Sequence, residues 1–129
     1  MQLITRGQNN ILIFTLTERV TLTNPYFLVR MQSRSSNKIK RFILPANQST
    51  DTTRYDKFTI TESTTENLTS GTVSLEQGQH FYRIYEQVSA TNLSEDGANK
   101  LLEEGIIVVG TTGDTYYNYD EQVTYTFPT

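Results

Sequence analysis

Apolar and polar residues alternate along most of this chain, in short runs that end at turn residues. Residues 11–17 (ILIFTLT) carry apolar side chains on both faces, which predicts a strand that is covered on both sides. Residues 57–62 (KFTITE) place Phe58 and Ile60 on one face and predict a half-buried strand. Turn signals between the runs favour a sandwich over alternating strands and helices. Further strands are predicted at 26–32, 38–44, 71–75, 81–88 and 106–109.

One short segment follows a helical pattern instead. Ser94 is a candidate N-cap, two acidic residues follow it in the first turn, and Gly105 stands where a helix commonly ends. Ala98, Leu101 and Leu102 have the spacing of one apolar stripe. The sequence therefore predicts a single helix over about residues 95–104.

These elements predict an all-β fold, an immunoglobulin-like antiparallel β-sandwich with one short helix, about residues 95–104, before the last core strand. A leucine, a glycine-bearing turn and then Tyr82 resemble the corner before a central strand of such sandwiches. We expect one domain at 1–110 and a C-terminal arm at 111–129. The residues predicted to be buried together are Phe14, Leu16, Val29, Phe58, Tyr82, Ile84 and Ile107.

The arm differs in composition from the rest of the chain. It holds four of the eight tyrosines, together with Asp114, Asp120 and Glu121, and it contains no Lys or Arg. Tyrosine is favoured in interface cores, and an isolated strand needs a partner. Two outcomes stay open, because the arm can fold back on its own sandwich or dock on a neighbour. The predicted interface residues in the arm are Tyr116, Tyr117, Tyr119, Tyr125 and Phe127.

Charge is distributed unevenly along the chain. Residues 1–57 contain nine Lys/Arg and three Asp/Glu, a balance of +6, whereas residues 58–129 contain two and eleven, a balance of −9. One interpretation is that strands from the two halves neutralise each other within one domain. The other is a molecule with a basic and an acidic face that packs head-to-tail.

Residues 34–41 form a basic hairpin, whose Arg34, Lys38, Lys40 and Arg41 are predicted interface residues. Four cations in eight residues could contact phosphates. However, no aromatic platform accompanies them and the whole chain is acidic, so a contact to an acidic protein neighbour is favoured over nucleic acid.

Catalytic and metal-binding signals are absent from the sequence. The chain has no cysteine, and His80 is its single histidine. No nucleophile–base pair, calcium loop or phosphate-binding glycine motif is present. No apolar run reaches the roughly 20 residues that span a bilayer. We therefore predict neither an enzyme nor a bound cofactor or metal, and no membrane partner.

Between residues 22 and 109, several short motifs occur in a fixed order: LTNPYFLVRMQS, KRFILP, RYDKFTI, HFYRIYEQVSATNL and LLEEGIIVV. This pattern resembles small structural virion proteins encoded by crAss-like tailed phages and related phages of Bacteroidetes hosts. The matching positions, expected to define the fold, are Pro25, Tyr26, Arg54, Tyr55, Phe58, Tyr82, Tyr85, Glu86, Gln87, Asn92, Leu102, Glu103 and Gly105.

The resemblance implies a phage structural protein, an immunoglobulin-like auxiliary protein of the decoration or cement type. Its implied location is the exterior of the capsid in the virion, after assembly in the host cytoplasm. Its implied partners are the major capsid protein or other virion proteins, and copies of itself. Among the fold-defining positions, Arg54 and Glu86 are expected to form a charge pair. The alternative function is a carbohydrate- or receptor-binding module of a head fibre or tail, because exposed tyrosines also suit stacking on sugars.

Overall fold

The computed structural model describes residues 2–52, 54–111, 115–118 and 123–126. Half of the chain is strand and about 6% is helical. The ten strands are β1 (Gln2–Thr5), β2 (Asn9–Phe14), β3 (Tyr26–Ser33), β4 (Ile39–Ile43), β5 (Asp56–Glu62), β6 (Thr72–Val73), β7 (Gly78–Gln87), β8 (Lys100–Gly110), β9 (Thr115–Asn118) and β10 (Val123–Thr126). Two 3-10 turns, Thr17–Arg19 and Glu95–Gly97, interrupt the connections.

The strands form two main sheets and a separate hairpin. The larger sheet has the order β1-β8-β7-β3-β4, the smaller sheet has the order β2-β5-β6, and β9 pairs with β10. Most neighbours are antiparallel, but β1 runs parallel to β8 and β5 runs parallel to β6. The prediction of a purely antiparallel arrangement is therefore wrong for these two pairs. The all-β class is confirmed.

One hydrophobic core lies between the two main sheets. The Phe14 ring of the smaller sheet lies 5.6 Å from the Tyr82 ring of the larger sheet, and Phe58 lies 5.7 Å from Phe27. These contacts join the sheets into a sandwich-like arrangement in which each sheet buries one face. All seven side chains that the sequence predicted to share the core are buried in this cluster.

The predicted helix at 95–104 is wrong. Only Glu95–Gly97 forms a 3-10 turn, Ser94 makes no capping side-chain hydrogen bond, and β8 begins at Lys100. Leu102 is buried in the core, whereas Leu101 is 41% exposed on the opposite face. The two leucines therefore follow the alternation of a strand. Pairing with the ten-residue β7 provides hydrogen-bond partners for the backbone N–H and C=O groups of this segment. A short helix containing Gly97 would provide fewer.

Gly105 does not end a helix but lies inside β8, directly opposite Tyr82. A Cβ atom at this position would come within 2.9 Å of the Tyr82 ring carbon Cε1 and of its hydroxyl oxygen. The absence of a side chain at Gly105 therefore lets the tyrosine ring lie against the neighbouring strand.

Two smaller predictions are also wrong. Residues of β2 were expected to be covered on both sides, but Ile11 and Ile13 are exposed on the outer face of the smaller sheet. Among the described ion pairs, none joins Arg54 to Glu86. Instead, the Glu86 carboxylate accepts hydrogen bonds from the backbone N–H and the hydroxyl of Thr21. Glu86 therefore fixes the segment before β3 and not the loop after β4.

Candidate interaction site

The predicted basic hairpin is the turn between β3 and β4, and two of its four cations bind carboxylates of the same chain. Lys40 Nζ lies 2.8 Å from Glu66 Oε2, and Arg41 Nε lies 2.7 Å from Glu95 Oε1. Lys38 is exposed. Arg34 is also exposed, and its guanidinium lies 5.1 Å from the centre of the Phe81 ring. The structure thus leaves Arg34 and Lys38 as the outward-facing cations of the predicted set.

The five predicted residues of the arm are described only in part. Tyr116 and Tyr117 lie in β9 and Tyr125 lies in β10, where Tyr125 is the backbone partner of Tyr116. Tyr119 and Phe127 lie outside the described residues. Within the described part of the arm, β9 and β10 pair with each other and with neither main sheet. The division at residue 110 stays a prediction, although β8 does end at Gly110.

Ion pairs between the two halves of the chain neutralise much of its charge asymmetry. Of the six ion pairs between described residues, five join a cation from residues 1–57 to a carboxylate from residues 58–129. The exception is Arg83 with Glu104. This agrees with the first interpretation of the charge pattern, because strands from the two halves are neighbours in the larger sheet.

Three arginines lie side by side on the outer face of the larger sheet. Arg83 of β7 is opposite Arg30 of β3, which is opposite Arg41 of β4. We call these residues the arginine row. Like charges on directly opposed positions destabilise a sheet unless they are compensated. Glu104 lies beside Arg83, with 3.4 Å between Oε2 and Nε, and Glu95 lies between the other two arginines.

Glu95 holds the connection between β7 and β8 against this face. Its Oε1 atom accepts a hydrogen bond from Arg41 Nε. The same oxygen lies 2.9 Å from Arg30 Nε, but the Arg30 N–H does not point at the oxygen, so this second contact is an ion pair without a hydrogen bond. Leu28 and Ile43 also point to the outer face, yet they are 0% and 1% exposed. Leu28 and Ile43 are therefore covered, whereas Tyr26 and Leu101 at the same end stay exposed.

The other end of the face is open and apolar. Phe81 is opposite Ile106 on one side and Gln32 on the other, and Gln32 is opposite Ile39. We call Ile106, Phe81 and Ile39 the apolar row. Phe81 is 47% exposed and Ile39 is 37% exposed. A groove of about 330 Å³ runs between the apolar row and the arginine row.

The buried polar groups of the core stabilise the fold. Asp56 is fully buried, and its carboxylate accepts hydrogen bonds from the backbone N–H groups of Leu16 and Thr17, from the Thr17 hydroxyl and from the Asn47 amide. Its oxygens therefore already hold four donors from the connection after β2 and the loop before β5.

Two further buried groups, His80 and Glu86, have shifted pKa values. Burial lowers the pKa of His80 and favours the neutral ring, whose Nδ1 lies 3.1 Å from the Gly78 carbonyl oxygen. Burial raises the pKa of Glu86, but the hydrogen bonds from Thr21 and from the Leu22 backbone outweigh it, so the net direction is downward.

The sequence indicates which residues of β7 lie on the open face, but not which residues of other strands lie beside them. The alternation in β7 that places Tyr82 and Ile84 in the core also places Phe81 and Arg83 outside, and that signal was available. The alignment of Arg83, Arg30 and Arg41 depends on the strand order and register, which a single sequence does not give.

Within the described residues, no group of three or more His, Asp or Glu side chains is placed to hold a metal ion. Across the same residues, no helix has the length and apolar character needed to cross a membrane.

Comparisons with protein-family models, with curated proteins and with solved structures give no match.

Proposed function

We propose that this chain is a non-enzymatic structural protein of a phage virion, an auxiliary protein on the capsid exterior that strengthens contacts between capsomers. The resemblance of its motifs to virion proteins of crAss-like phages motivates this class. The structural observation that carries the proposal is the concentration of exposed apolar side chains on one face. Of the seven large apolar side chains that stay exposed among the described residues, four lie on the outer face of the larger sheet: Tyr26, Ile39, Phe81 and Leu101.

A protein that only has to bind neighbours needs such a face and no catalytic cleft. Exposed apolar residues that cluster within a polar surround are typical of interaction sites. The arginine row lies between Phe81 and Ile39 on one side and Tyr26 and Leu101 on the other. It is only partly compensated, since three cations face the two carboxylates of Glu95 and Glu104. Arginine beside aromatic surface is a favourable composition for a protein interface.

For the fold, we propose an immunoglobulin-like topology. The order β8-β7-β3-β4 corresponds to the G-F-C-C′ order of such domains, and the antiparallel β2–β5 pair corresponds to B–E. The short β6 departs from the pattern, because it follows β5 and runs parallel to it. A crystal structure in which β3 does not lie between β7 and β4, or in which β2 does not pair with β5, would contradict the correspondence.

Counting copies in purified particles tests the proposed function. Quantitative mass spectrometry of virions should give this chain on the order of hundreds of copies, in a fixed ratio to the major capsid protein. A dozen copies or fewer would favour the alternative, a carbohydrate- or receptor-binding module of a fibre or tail. Absence from the particle would refute a virion role altogether.

A further inference from the structure

We propose that the outer face of the larger sheet binds the C-terminal segment, residues 111–129, of a second copy of this chain. The inference deepens the proposed function and rests on it, because it names the surface by which neighbouring copies contact each other. It joins two features, the groove between the apolar and arginine rows and the arm, whose described strands pair with neither main sheet.

Charge complementarity is the first argument. The arm carries Asp114, Asp120 and Glu121 and no Lys or Arg, so its balance is −3. The groove is lined by Arg30 and Arg83 of the arginine row, and Arg34 lies 5.1 Å from the centre of the Phe81 ring that lines its other side. Among the described ion pairs none uses Arg34. An acidic segment in this groove would therefore meet Arg34, which has no carboxylate partner among the described ion pairs. It would also meet the arginine row, in which three cations face two carboxylates.

Apolar complementarity is the second argument. Phe81 and Ile39 are exposed in the single chain, and Arg34 lies over only part of the Phe81 ring. The arm supplies four tyrosines and one phenylalanine within nineteen residues. Aromatic side chains of a partner that cover Phe81 would remove apolar surface from water, and tyrosine and arginine are the residues that most often dominate such contacts.

The backbone of the arm gives the third argument. The two strands β9 and β10 are four residues each and pair only with one another within the described residues. A two-stranded hairpin of this size is marginally stable by itself in water. Docking on a sheet face would supply the packing that it lacks.

A contact between the arm of one copy and the face of the next is heterologous. Two copies that exchange arms close as a symmetric dimer, and copies that each pass the arm to the next copy form rings or open chains. This geometry suits a protein that acts in many copies around a shell.

Sedimentation velocity of the full chain across a range of concentrations tests the inference. We expect concentration-dependent dimers and larger species that weaken as salt is raised, because the charged contacts are screened over roughly 8 Å at physiological ionic strength. Phe81→Asp should weaken association by about 30-fold or more, the effect typical of an interface hot spot. Ile11→Asp is the matched control, since Ile11 is similarly exposed on the other sheet, and it should leave association unchanged.

Mixing two defective copies separates docking between chains from folding within one chain. A Phe81→Asp copy retains its arm, and a Tyr116→Ser/Tyr117→Ser copy retains its face. Each should associate far more weakly alone than the wild type does, whereas the mixture should form a one-to-one dimer and stop there. Unchanged thermal melts would show that both variants fold, and Arg83→Glu provides a second face variant at an exposed position.

A wild-type chain that stays monomeric at every concentration and salt level would overturn the inference, as would a mixture that fails to pair. A monomer would leave the face to another virion protein or to a glycan. The two proposals fail separately. Self-association in solution without copies in the particle would refute the virion function alone, and copies in the particle without self-association would refute only the docking of the arm.

Discussion

Replacing Tyr82 by alanine removes a core residue of the larger sheet that contacts the smaller sheet. Its ring lies 5.6 Å from the Phe14 ring of the opposite sheet and against Gly105 of the next strand, and the residue is only 7% exposed. Its hydroxyl donates a 2.8 Å hydrogen bond to Glu103 Oε2. Truncation therefore loses buried aromatic surface, leaves a cavity between the sheets and leaves Glu103 without this donor.

The expected cost of Tyr82→Ala is about 3–5 kcal/mol in the free energy of unfolding, the range for truncating a buried aromatic residue. With about 2.1 cal/mol/K of unfolding entropy per residue, this lowers the melting temperature by roughly 11–18 °C. Tyr82→Phe keeps the ring and loses only the hydrogen bond, so it should cost about 1–2 kcal/mol. Chemical denaturation followed by circular dichroism measures both changes.

Phe81→Ala is the matched control, because Phe81 is the next residue along β7 and lies on the open outer face. It should cost less than about 1 kcal/mol, as expected for a half-exposed side chain outside the core. A cost for Tyr82→Ala below that value, or a larger cost for Phe81→Ala, would show that the register of β7 is inverted.

Four further changes test other parts of the structure. Gly105→Ala should destabilise the fold by about 1–3 kcal/mol in an unfolding assay, because the new methyl group meets the Tyr82 ring. Gly97→Ala should cost less in the same assay, because its methyl group meets only the Asn92 side chain. Asp56→Asn should cost about 2–4 kcal/mol by denaturation, since it replaces a fully buried carboxylate that accepts from four donors. Burial, and then the hydrogen bond to Glu103, raise the pKa of Tyr82, so the unfolded chain loses the hydroxyl proton first as the pH rises. Stability should therefore fall more steeply above about pH 10 in the wild type than in Tyr82→Phe. Burial lowers the pKa of His80, so the unfolded chain gains this proton first as the pH falls. The wild type should therefore lose stability below about pH 6.5 more steeply than His80→Asn does. Equal slopes of stability against pH would contradict the burial of the ring.

Much of the fold was predictable from residue periodicity. The alternation around Phe58 and around Tyr82 gave the buried face of two strands, and both faces are as expected. Periodicity failed at Leu101 and Leu102, because two adjacent leucines before a glycine fit a helix end as well as a strand. The long-range pairing with β7 decided between them, and that pairing is a tertiary interaction which a single sequence does not contain.

The candidate site was predictable only in its residue types. The basic hairpin was visible as a cluster of charge, but Arg41 binds Glu95, which lies 54 residues later in the chain. Sequence distance therefore concealed that part of the cluster is neutralised internally. The arginine row and the apolar row arise from the register of four strands, so no local pattern could have identified the groove between them.

Particles that lack this protein offer the decisive measurement for its proposed role as an auxiliary capsid protein. Purified full chain would be added back to such particles, and the temperature at which they release DNA would be recorded against the amount of chain bound. We expect saturable binding that raises the release temperature, and a weaker effect with Phe81→Asp than with Ile11→Asp. Particles whose release temperature is the same with and without bound chain would contradict a role in strengthening the capsid.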